Sequence, residues 1–160
     1  VKPLGPAASV WAGDAGRPDP QLRAALAAST EPEGYARAVA ALCLARLLLP
    51  IAPDPDGDLS AVSVTAPDGR TGLLAFTGLD SLVEWRADAR PVPCTLDDVA
   101  ATAVETGAVA VVVDLAGPVP LVIEEALVAE LAAGRRLVEL PDGGFGWLFA
   151  DAGSPPPAAP

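Results

Sequence analysis

The eight residues AVAVVVDL, at 108–115, constrain the fold more than any other stretch of the chain. The run is continuously apolar and rich in β-branched side chains, the pattern of a strand buried on both faces. Such a strand needs neighbours along its edges and a packed layer on each side, so it belongs inside a sheet covered by helices. The flanking residues supply those helices. Upstream, Thr95 reads as an N-cap with Asp97 and Asp98 in the positive first turn, Leu96, Val99, Ala103 and Val104 as the buried face, and Gly107 as the C-cap. Downstream, AGPV makes a tight turn into the strand PLVI. A helix then runs through Glu124–Ala133, with Leu127, Val128 and Leu131 inward and Gly134 ending it.

The N-terminal half reads in the same way. Asp19-Pro20 looks like an N-cap followed by proline at the first helical position, and Leu22, Ala25 and Leu26 continue a short helix. Thr30 and Glu33 have capping-box spacing ahead of a second helix carrying Tyr35, Val39 and Leu42, which gives way near Leu44 to the strand ARLLLPIA. The runs 60–66 and 71–77, joined by PDGR, read as a hairpin. Thr77 and Asp80 again have capping-box spacing, before a helix with Leu79, Leu82 and Val83 on one stripe. RPVPC is extended, and RRLVEL, PDGG and FGWLFA form a last hairpin.

The fold class expected is α/β, mixed and α+β-like: a central mixed sheet with helices packed on it. The organisation expected is a loose N-terminal arm over 1–17, a single domain over 18–150 and a disordered proline-rich tail over 151–160. With 51% hydrophobic and 19% charged residues the chain has the apolar content of a globular domain, although 33 of its 160 residues are alanine, so the core is made of small pieces. The bias toward residues with GC-rich codons points to a high-GC bacterial genome.

Charge and chemistry narrow the functions. The net charge is −11, from 21 acidic and 10 basic residues. A chain so acidic repels phosphate backbones and anionic lipid, so no nucleic-acid and no membrane partner is expected. The longest apolar run, Ala38–Ala52, is interrupted by Arg46 and shorter than the ~20 residues of a membrane span. VKPLGPAASVWAG lacks the order of basic then apolar residues found in signal peptides, and two cysteines make no disulfide framework, so a cytoplasmic location is expected.

There is no histidine, which removes Ser-His-Asp and Cys-His catalysis and histidine metal sites; the single lysine, Lys2, and the absence of a GxxxxGK[ST] run remove P-loop chemistry. GGFG at 143–146 reads as a hairpin turn. No cofactor and no metal are expected. Asp54, Asp56 and Asp58 alternate like the start of a calcium loop, but the glycine falls at the fourth place and the twelfth is Thr65, so a solvated turn is the better reading. Asp97-Asp98 and Glu124-Glu125 sit at helix starts, where the helix dipole explains them.

Asp114, at a strand end, is the best candidate for contact with a ligand, although a simple role in capping the AGPV turn is the better reading. Cys94, between Pro93 and the Thr95 cap, has the more exposed setting of the two thiols, but nothing nearby can act as its base, so an unreactive thiol is the better reading. Trp11 either packs back on the domain or faces a partner. Trp147 lies on the final strand, which could pair with a partner's strand if it is an edge.

A strand of the type LLPI, a hairpin around TAPDGR, and LLAFTGLDSLVEW, followed by RPVPCTLDDVAATAVETGAVAVVVDLAGPVPLVI, resemble the SseB family of bacterial proteins, and its actinobacterial members in particular. The resemblance covers roughly residues 35–140. One departure is Gly78, where the family's Phe-Thr-Ser-like turn implies serine. The family takes its name from a serine-sensitivity phenotype, and its domain also occurs near secretion and toxin systems. The resemblance carries over no catalytic residues.

The function expected is a non-catalytic accessory domain, not an enzyme, that binds a protein partner. The partner would be basic, or associated with secretion or a toxin. The contacts expected are Asp54, Asp56, Asp58, Trp11, Trp147 and the hairpin over 60–76. One alternative is an immunity or secretion-associated protein that masks a basic partner. Another is a small-molecule binder or enzyme that uses strand-end carboxylates such as Asp114.

Overall fold

The computed structural model describes residues 10–149. The expected tail, and the first nine residues of the expected arm, lie outside the described residues. Helices α1 (Pro20–Ala27) and α2 (Pro32–Leu44) lead into strands β1 (Leu47–Pro53), β2 (Leu59–Ala61), β3 (Ser63–Thr65) and β4 (Thr71–Ala75). Then follow α3 (Leu79–Trp85), β5 (Arg90–Cys94), α4 (Leu96–Thr106), β6 (Ala110–Val113), β7 (Leu121–Ile123), α5 (Glu125–Ala132), β8 (Arg135–Glu139) and β9 (Phe145–Phe149). The α/β class holds.

Three sheets have the orders β2-β1-β5, β3-β4-β6-β7 and β8-β9. β4 and β6 are parallel, Leu74 opposite Val112, while every other strand pair is antiparallel. The first two sheets share one strand, because residues 59–65 cross from one to the other at Val62. Its N–H donates to the Pro50 carbonyl, and its own carbonyl accepts from the Leu74 N–H. At the far end Leu48 and Phe76 exchange both backbone bonds, at 2.8 and 2.9 Å.

The Pro50 carbonyl points toward residues 59–65, so its neighbours Leu49 and Ile51 face β5. Their partners Val92 and Arg90 therefore turn Pro91 and Pro93 to the outer edge, which lacks those N–H donors and is blunted against further pairing.

One face of the β4–β6–β7 sheet carries Leu73, Ala75, Val111, Val113, Leu121 and Ile123. These are buried in the main core with Val39 and Leu42 of α2, Leu96 and Val99 of α4, and Val128 and Leu131 of α5. The other face is half covered. Leu74 and Phe76 cluster with Leu48 and with Leu82 of α3, the Phe76 and Trp85 rings lying 5.6 Å apart.

Local chemistry explains several boundaries. The Asp19 carboxylate accepts from the Gln21 and Leu22 N–H groups, and Thr95 with Asp98 forms a reciprocal capping box. Gly107, at φ 75°, closes α4 in the left-handed conformation that suits glycine.

Two expected capping boxes do not form. The N-cap position of α2 falls on Glu31, one residue past Thr30, with no side-chain cap, because Pro32 takes the first helical position. Helix α3 starts from Gly78 with no side-chain cap, because Thr77 is engaged elsewhere. Val104, expected inward, is 57% exposed.

Candidate functional site

The C-terminal ends of the parallel pair β4–β6 are where α/β sheets most often place ligands. Asp114 stands there, directly after β6. It is the one residue other than glycine with positive φ (51°) among the described residues, a conformation that aspartate tolerates better than most. Its backbone N–H donates to Ala75, extending the parallel ladder by one bond, and its carbonyl accepts from Gly117 to close the expected turn. The side chain does not cap that turn but points into the protein, 0% exposed.

All the carboxylate's partners come from the β4–α3 joint and from α1. The Thr77 N–H donates to Oδ1 at 2.8 Å, the Thr77 hydroxyl to Oδ2 at 2.5 Å and the Ser81 hydroxyl to Oδ1 at 2.7 Å. Arg23 of α1 puts Nε 3.4 Å from Oδ2 and donates to the Thr77 hydroxyl at 2.6 Å. A buried carboxyl group with two hydroxyls, a backbone N–H and a guanidinium around it has its oxygens satisfied without water. Its bonding capacity is taken up by the protein, which leaves no free position for a ligand atom.

The shell around it is closed as well. Arg23 also forks onto Asp80 at 2.8 and 3.2 Å, which holds the Asp80 carboxyl below the usual range. Arg46, just ahead of β1, donates to the Thr77 carbonyl (3.0 Å) and the Arg17 carbonyl (2.7 Å) and pairs with Asp14 at 2.5 Å. The Leu79 N–H donates to Gly16. Residues 14–17, expected in a loose arm, therefore lie strapped across the joint.

Gly78 fits this shell for a steric reason. A Cβ there would stand 2.5 Å from the Asp80 carboxylate, 2.9 Å from the Pro18 Cβ and 3.1 Å from the Arg23 guanidinium. A serine at 78 would need Pro18 and the Asp80 and Arg23 side chains to shift.

The remaining candidates lie apart from this cluster. Asp54 folds its own turn, accepting from the Asp56 and Asp58 N–H groups at 3.0 Å, and Asp56 and Asp58 are exposed. Among the described residues no three acidic or cysteine side chains converge to hold a metal ion. Asp97 pairs with Arg136 at 2.9 Å and Glu124 with Arg70 at 3.6 Å.

Cys94 is not the more exposed thiol. It is 2% exposed, and burial pushes its thiol up to about 12, so it is no reactive nucleophile. Cys43 is also buried, its thiol raised by desolvation. Trp11 is half-buried, and Trp147 is half-buried against the main core. β9 pairs with β8 alone among the described strands.

Sequence reading missed Arg23, Arg46 and Ser81. The one available signal was arginine in otherwise apolar segments, and the arginines' partners lie 29 to 58 positions away in sequence.

The family model for the SseB protein N-terminal domain matches residues 22–130, 109 of the 160 residues. The chain belongs to the SseB family. The matched span runs from the first buried leucine of α1 into α5, so it includes Arg23, Thr77, Ser81 and Asp114. The strap over 14–17 and the β8–β9 hairpin lie outside it. Neither the curated proteins nor the solved structures provide a match.

Proposed function

We propose that this SseB-family chain is a non-catalytic accessory domain that docks a basic protein partner through its acidic, partly apolar surface. The observation that carries the reading is the closure of the strand-end cluster. The carboxylate best placed for ligand chemistry is 0% exposed and fully engaged by Thr77, Ser81 and Arg23. Recognition is then left to the surface, where the net charge of −11 favours cationic proteins and disfavours nucleic acid and anionic lipid. Among the described residues no helix is long and apolar enough to cross a membrane. The cytoplasm is the compartment this reading assigns.

Masking of a basic toxin or secreted substrate would be a special case of the same docking. The burial of Asp114 weighs against the small-molecule or enzymatic alternative.

The test is a pull-down with the tagged chain, eluted by a salt gradient and read by mass spectrometry, beside native mass spectrometry of the purified chain. One enriched basic protein that leaves at high salt is the expected result. A retained small molecule with no enriched protein would overturn the reading.

A further inference from the structure

The strap over residues 14–17 touches the domain as a bound peptide would. Asp14 lays its carboxylate along the Arg46 guanidinium at 2.5 and 3.4 Å, and the Arg17 carbonyl accepts from the same group at 2.7 Å. The Gly16 carbonyl takes the Leu79 N–H at 2.7 Å, a first-turn donor of α3 that no side-chain cap serves. The segment also shapes itself. The Asp14 N–H donates to the Trp11 carbonyl, and the Asp14 carboxylate accepts from the Gly16 N–H at 2.8 Å, so two local turns present the carboxylate.

Its hold on the core is slight. Of the four strap residues only Gly16 is buried, and an open groove of about 420 Å³ runs between the strap and the Leu79, Asp80, Val83 and Glu84 side of α3. A segment with so few buried apolar contacts opens at a fraction of the global unfolding free energy. Beneath it Arg46 is only 11% exposed and Leu48 is buried.

The two halves of this contact divide along the family boundary. Arg46, Leu48, Thr77 and Leu79 lie inside the matched span 22–130, and the strap lies outside it. We infer that the closed strap is an autoinhibitory contact, an intramolecular stand-in for an acidic peptide segment of a partner protein. That segment would set a carboxylate on Arg46 and, two residues on, a glycine over Leu48 and Leu79. The guanidinium fork matches both carboxylate oxygens. Gly16 sets the spacing, since with φ 69° a Cβ there would stand 3.1 Å from the Leu79 Cβ and 3.6 Å from a Leu48 methyl group. This site reads an anion on a shielded arginine and is separate from the acidic surface proposed for a basic partner.

The first test is amide hydrogen exchange on the full-length wild-type chain. The Leu79 N–H should exchange about a hundredfold or more faster than the N–H groups of Leu48 and Phe76, which pair with each other. Equal protection of all three would make the strap part of the cooperative fold and overturn the inference.

The second test loosens the strap and adds its sequence back. Asp14→Ala with Gly16→Ala removes the carboxylate and strains the turn, while Arg46, Leu48 and Leu79 stay in place. A synthetic peptide of residues 10–18 should then shift the Leu48, Thr77 and Leu79 amides with a Kd below about 1 mM. A strap tethered at an effective concentration of about that size stays closed only with an affinity of the same order. The wild-type chain, its strap closed, should bind the peptide about tenfold or more weakly, and the peptide carrying Asp14→Asn should lose as much on the variant.

No saturable binding up to about 5 mM would overturn the inference, as would equal binding by the wild-type chain or indifference to Asp14→Asn in the peptide. So would a double variant that fails to fold. Binding of N-acetyl-aspartate as tight as that of the peptide would make the occupant a small carboxylate, also against the inference.

Discussion

The Asp114 carboxylate holds Thr77 by both its backbone N–H and its hydroxyl, at 2.8 and 2.5 Å, and so fixes the end of one parallel strand to the start of the helix that follows its neighbour. Arg23 ties α1 into the same carboxylate. The joint between β4 and α3 is thereby set by a buried charge rather than by a helix cap.

That arrangement predicts a steep cost for truncation. Asp114→Ala leaves the Thr77 N–H and hydroxyl and the Ser81 hydroxyl without this acceptor and removes the buried carboxylate beside Arg23, and should destabilise the fold by about 3–5 kcal/mol. Asp114→Asn keeps the shape and the tolerance of positive φ and should cost about 1–3 kcal/mol. Urea unfolding measures both. A loss below about 1 kcal/mol for the alanine variant would mean that the clamp is not structural.

Gly78→Ser should cost about 1–3 kcal/mol, the usual penalty of overpacking, because the added Cβ meets Pro18 and the Arg23–Asp80 pair. Part of the clash is with the flexible Arg23 side chain, so the cost should shrink in an Arg23→Ala background. A double-mutant cycle that shows simple additivity would contradict this coupling.

The Arg23–Asp80 pair adds a modest acid sensitivity. The folded carboxyl lies below its ordinary 3.8, so the contribution is in place above that value and is lost as pH falls through the lower, folded pKa. Asp80 is half exposed and screened by solvent, so the effect is about 0–1 kcal/mol. Asp80→Asn should flatten the acid limb of stability against pH below about 4. An unchanged acid limb would assign the sensitivity to other carboxylates.

Both thiols should resist reagents in the native chain. With Cys94 pushed up to about 12 and Cys43 buried, a thiol-reactive dye at mildly alkaline pH should label neither within the native lifetime and both in denaturant. Rapid native labelling of Cys94 would contradict its burial.

Much of the scaffold was legible in the residues because it rests on local chemistry: the Asp19-Pro20 start of α1, the Thr95 cap, the Gly107 cap and the apolar run of β6. The joint was not. Thr77 and Asp80 have the spacing of a capping box, but spacing says nothing of a carboxylate brought from residue 114 or a guanidinium from residue 23. The polar groups turned to those distant partners because a buried charge left unpaired costs more than a helix cap gains. Val104 failed for the opposite reason: the helical stripe was read one position too wide, and α4 leaves it to solvent. The open half of the sheet was also invisible, since β6 reads as buried on both faces while Val112 has helix cover on only part of its side.

The most direct test of the account compares binding of the captured partner by wild type and by Asp114→Asn, under conditions where both are folded. Asp114 belongs to the clamp, so the variant should bind within about twofold of wild type despite its lower stability. A loss of about tenfold or more, 1.4 kcal/mol, in a variant whose amide spectrum matches wild type would place the function at the strand ends and contradict the account.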